Sequence, residues 1–186
     1  MPAFFLTFIA VAAAMLAGRD AVRVARLKAS LGWTAPLLVI IFVAALLGAA
    51  LAAWIAGSLA PLIAPSYKPV VVAVALGLAG LELLLRSPPA KPREPTRSMG
   101  AITLVLLLGM VTDASGFIIL SMAIATGELA LAAAGGATAA IAVLVAALVA
   151  AEDWDTLPLD PVRRIVAAAL ILAAVVIVLV GRNLIG

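Results

Sequence analysis

Six stretches of this sequence are apolar over most of their length, and the polar positions gather between them. A bilayer core of roughly 30 Å takes about 20 apolar residues wound as a helix. The pattern predicts helices over residues 2–18, 34–59, 69–85, 100–126, 129–151 and 161–180. The first runs on into the polar RDAVRVARLKA of residues 19–29, which puts Arg19, Arg23 and Arg26 on one face and fits a half-helix snorkelling toward the cytoplasmic surface. Pro36, Pro69 and Pro161 fall in first turns, where a missing N–H costs nothing. The stretch SPPAKPREPTRS at residues 87–98 carries four prolines and cannot be helical. It divides the chain into residues 1–86 and 99–186, with three predicted helices in each.

Composition narrows the class. Hydrophobic residues make up 67% of the chain and charged residues 11%, against about 45–50% and about 25% in soluble domains. An integral membrane protein is expected, with no further soluble domain, because no polar stretch is longer than residues 86–99. The apolar N-terminus resembles a signal peptide. It lacks a basic region before the apolar run and has basic residues after it, so a retained first helix is expected.

Charge then sets the orientation. Of the 12 lysines and arginines, all but Lys68 and Arg182 fall on one side of the predicted bundle. The positive-inside rule puts that side in the cytoplasm. The 87–98 linker is then cytoplasmic and both termini face out, as a multi-pass protein of the inner (plasma) membrane. The basic charge is explained by the lipid bilayer as partner, and no nucleic acid is expected.

The chain has no cysteine and no histidine. That removes disulfides, Cys/His zinc sites and His proton relays, and leaves no nucleophile–base pair, so an enzyme is not expected. No cofactor is expected either. A bound metal would need oxygen ligands, which suit hard divalent cations such as manganese or calcium.

Asp113 is the one charge in residues 98–127. Even on permissive scales a carboxylate at the centre of a membrane helix costs about 2.5–3.5 kcal/mol, so such residues usually hold an ion, carry a proton or pair with another helix. Thr112 and Ser115 add oxygen ligands on the same turn, and Gly116 adds a weak point. The plainer alternative is a carboxylate bonded to a neighbouring helix for packing. For Asp20, beside Arg19 and one turn before Arg23, the alternative is an interfacial salt bridge. Glu82 and Arg86 read as an i, i+4 pair at the cytoplasmic surface. Glu152, Asp153 and Asp155 read as a solvated loop beside an interfacial Trp154 anchor. The small-residue stripes Ala44, Gly48, Ala52, Ala56 and Ala132, Gly136, Ala140 predict close helix packing, internal or in a homodimer.

The two halves also repeat. MLAGRDAVR (residues 15–23) lines up with GMVTDASGF (residues 109–117) when Asp20 is set on Asp113. Near the same spacing, Lys68-Pro69-Val70 matches Asp160-Pro161-Val162. Three-helix repeats must lie in opposite orientations, the inverted-repeat plan of many secondary transporters.

With these aspartates in equivalent helices, the chain resembles the small six-helix exchangers that move calcium or manganese against protons, found in Golgi membranes and as bacterial manganese exporters. In that family the first helix of each repeat carries a signature of glutamate, an apolar residue, glycine, aspartate, a basic residue and a hydroxyl residue. Here the second copy reads Met110-Val111-Thr112-Asp113-Ala114-Ser115, keeping the aspartate and the final hydroxyl. The first reads Ala17-Gly18-Arg19-Asp20-Ala21-Val22, keeping the aspartate. The resemblance implies proton-coupled exchange of a hard cation, with Asp20, Asp113, Thr112 and Ser115 forming the cation or proton site. Loss of both signature glutamates is the best support for the alternative, a degenerate homologue acting as a membrane scaffold or accessory subunit.

Overall fold

Small residues turn inward along the long helices and large ones turn outward. Helix α3 (Ala35–Leu59) buries Ala44, Gly48, Ala52 and Ala56 while Phe42, Leu46, Leu47 and Trp54 stay exposed. Helix α7 (Leu129–Ala150) buries Ala132, Gly136 and Ala140, and it packs along α3. Where lipid competes equally well for apolar side chains, association favours small residues that let backbones approach. Both stripes therefore lie at an interface inside the molecule.

The computed structural model describes residues 1–16, 18–85 and 97–181, with Asp155 described in its backbone alone. Most of the 87–98 linker, Arg86, Arg182 and the Ala17 position of the first signature copy lie outside the described residues. Within them the chain is helical and has no strand. The remaining helices are α1 (Pro2–Leu16), α2 (Arg19–Leu31), α4 (Lys68–Leu85), α5 (Met99–Thr112), α6 (Ala114–Thr126) and α8 (Leu159–Gly181), with short 3-10 turns after α3 and α7. Four helices, α3, α4, α7 and α8, are long and apolar enough to cross a membrane. The pairs α1–α2 and α5–α6 pass the same test together, bent by 57° and 48°. The molecule thus has four to six candidate spans. Helix α1 packs on α7 and α6, α3 on α5, α6 and α7, and α4 on α6 and α8.

The predicted fourth helix is therefore two. Asp113 has an extended backbone (φ −93°, ψ −178°). Its N–H donates to the Gly109 carbonyl at 2.8 Å, closing α5, and its own carbonyl accepts from Gly116 and Phe117 at 3.0 and 3.3 Å, opening α6. Asp is among the preferred residues at such a helix start. Apolar residues flank it on both sides, so the hydrophobic pattern does not register the break. Helices α2 and α6 have the same length of 13 residues. Each ends on a left-handed glycine, Gly32 (φ 69°) and Gly127 (φ 72°), whose N–H bonds back to Lys28 and Ala123. Setting these two ends on each other pairs Asp20 with Ser115 and Asp113 with Gly18. That register is two positions away from the one that pairs the aspartates.

Trp154 is not an interfacial anchor. It is buried at 5% exposure because the 3-10 turn Ala151–Thr156 folds against α2. Ala151 makes this turn with a positive φ of 48°. Glu152 and Asp153 beside it are exposed, as the loop reading expects.

Candidate functional site: a small polar cavity at the two helix breaks

The two breaks meet. Gly18 and Arg19 at the start of α2, and Asp113, Ala114 and Ser115 at the start of α6, line one cavity of about 20 Å³ together with Asp20 and Glu82. That is room for about one water molecule or bare ion. Gly18 holds the extended backbone (φ −79°, ψ 165°) that lets α2 start afresh. Non-helical backbone at membrane depth is tolerated only where protein or a polar cavity satisfies its groups.

Asp20 sits in the first turn of α2 and is 4% exposed. Its Oδ1 lies 2.6 Å from Nη1 of Arg23, one turn along the same helix. On its other side the carboxylate rests against bare backbone of α5. A Cβ added at Gly109 would fall 2.8 Å from Oδ2 and 2.9 Å from Oδ1 of Asp20. Asp113 is 9% exposed and stands at the N-cap of α6, one residue before the helix begins. The N–H of Ala114, an orphan donor at that helix start, donates to Oε2 of Glu82 at 3.4 Å. Peptide dipoles at a helix start carry partial positive charge, which favours carboxylates there as anions.

Gly116 makes the second break possible sterically. A Cβ there would run into the carbonyls of Val111 and Met110, so a larger residue would push α6 off the end of α5. Ser115 is buried, and its hydroxyl donates to the Met110 carbonyl at 3.4 Å.

Of the four residues expected at the site, the structure brings together Asp20, Asp113 and Ser115. Thr112 is not with them: it is exposed, and its hydroxyl donates back to the Leu108 carbonyl at 2.8 Å. One position before the break, it still belongs to the last turn of α5 and faces away. Sequence reasoning missed Glu82, which reaches the second break from α4, although a charge inside an apolar span is itself a signal. The pairing expected for it, with Arg86, lies outside the described residues. Arg19, expected beside Asp20, lines the cavity with its Nε buried and without a hydrogen-bond partner; Gly109 was missed.

The signature glutamate position in the second copy is Met110. It is fully buried, and it packs so closely on Gly48 that a Cβ there would come within 2.8 Å of the methionine Cβ. Among the described residues, no three acids lie close enough together to share one metal ion. The cavity thus offers carboxylates, one hydroxyl and the Arg19 guanidinium in a space of single-ion size. Comparison with protein-family models, curated proteins and solved structures finds no match to this chain.

Proposed function

We propose that this chain is a secondary transporter that exchanges a hard cation of the manganese or calcium class for protons through the cavity at the two helix breaks. The observation that carries the reading is the meeting of Asp20 and Asp113, far apart in sequence, in the lining of one small cavity. Buried carboxylates in a molecule of apolar spans are costly, and they persist where they hold an ion or relay a proton. Broken helices whose ends face a shared site are a recurrent transporter device. On this reading each bent pair is one span, the six spans form two inverted three-helix repeats, and alternating access comes from one half rocking against the other. The termini face outward and the 87–98 linker lies in the cytoplasm. Asp113 is the central ligand and proton acceptor, Asp20 its partner and Ser115 a neutral oxygen, while Glu82 accepts from the Ala114 N–H at the same cavity.

The test is flux. In proteoliposomes with an imposed proton gradient, the wild-type protein should take up Mn²⁺ or Ca²⁺, and Asp113→Asn should abolish uptake. Unchanged flux in that variant ends the proposal.

A second reading has its own support. Met110 is used for packing where the signature has an acid, which suits a scaffold or accessory subunit that no longer moves ions. It expects no cation flux in the wild type and a partner protein that copurifies equally well with wild type and Asp113→Asn.

A further inference from the structure

Asp20 is buried, yet its nearest charged partner is not on a neighbouring helix. It is Arg23 of its own helix, at 2.6 Å. The two ends of this pair differ in freedom. The Asp20 side chain is 5% exposed and the Arg23 side chain 22%, and the carboxylate is backed by Gly109 at a distance too short for even a methyl group to intervene. The guanidinium, on a long flexible stem with one side open, is the partner that can leave. The cavity of about 20 Å³ holds a bare ion and not a hydrated one, so an entering cation must trade its waters for carboxylate oxygens, one of which Arg23 already holds. Arg19, also lining that space, adds a second positive charge against it. An ion reaching Asp20 therefore competes with Arg23.

Resting on the transport reading above, we infer that Arg23 is the site's built-in counter-cation, holding Asp20 while no ion is bound and yielding it when one enters. The ion-free site then keeps its buried carboxylate neutralised. Apparent affinity for the ion is reduced by the fraction of molecules in which Arg23 occupies the carboxylate. Arg23 is in this sense a residue that sets affinity, acting through Asp20.

The experiment compares Mn²⁺ uptake into proteoliposomes by wild type, Arg23→Gln and Arg23→Lys. Arg23→Gln removes the competitor, and its half-saturating Mn²⁺ concentration should fall, by roughly tenfold if Arg23 holds the carboxylate nine-tenths of the time. Arg23→Lys, which keeps the charge, should stay near wild type. An unchanged or higher half-saturating concentration in Arg23→Gln overturns the inference, whereas a merely structural pair would lower the amount of active protein and leave half-saturation unmoved. If Arg23→Gln does not insert, the wild-type protein decides: saturating Mn²⁺ should increase modification of Arg23 by phenylglyoxal, read by mass spectrometry, and no increase overturns the inference. Absence of any wild-type Mn²⁺ or Ca²⁺ flux overturns the transport reading, and this inference with it. Flux that needs Asp113 but is indifferent to Arg23→Gln overturns the counter-cation alone.

Discussion

Gly109 lacks a side chain where the Asp20 carboxylate needs the space. Gly109→Ala should push that carboxylate away from α5, cost about 1–3 kcal/mol of stability as overpacking does, and abolish uptake while the protein still inserts. Gly100→Ala, with nothing within 4 Å of the new methyl, is the matching control, and equal flux from the two variants would show that the contact is unimportant. Asp113 was legible in the sequence because it interrupts a long uncharged run. Glu82 was not placed at the site because Arg86, one turn on, offered a local partner, and its contact with the Ala114 N–H depends on tertiary packing. Gly109 was not legible, since nothing in an apolar stretch distinguishes a glycine kept for a carboxylate from any of the other 13 of the chain's 14 glycines. Trp154 was misplaced for a related reason. Acidic neighbours in sequence suggested water, and the turn that folds it onto α2 depends on tertiary contact.

Among elements, the ends of helices were more legible than their breaks. Gly32 and Gly127 follow the last helical residues, as expected of glycines that adopt a left-handed conformation at a helix end. Because no atom lies within 4 Å of a Cβ built at either, Gly127→Ala should cost only the backbone strain, about 1–2 kcal/mol. Gly127→Asn should cost less, since asparagine tolerates that conformation. Thermal unfolding in detergent checks the order; alanine equal to wild type would contradict the assigned backbone. The break at Asp113 escaped detection because hydrophobic periodicity is blind to a single extended residue. The small-residue stripes on α3 and α7 were legible as packing surfaces. What they pack against, Met110 of α5 at Gly48 and Ile119 of α6 at Gly136, became clear only once the helices were placed.

At the scale of the molecule, α7 is the most buried of the four long helices, while α8 buries only Ala167 and Ala174 and leaves most of its surface exposed. The chain contains no cysteine, so single introduced thiols report topology without background. With the proposed orientation, Ser66→Cys and Glu128→Cys should react with a membrane-impermeant maleimide in intact cells. Ser30→Cys and Asp153→Cys should react only after the membrane is opened. The reverse pattern would invert the bundle. The two breaks also differ in when the groups that meet them are synthesised. Glu82 leaves the ribosome before Ala114, so an acceptor for the second break is already waiting when that break enters the bilayer. Gly109, against which Asp20 finally rests, comes some ninety residues after Asp20. Throughout that interval Arg23, made three residues later, can chaperone the carboxylate, so the first half of the chain never has to wait in the membrane with a bare charge.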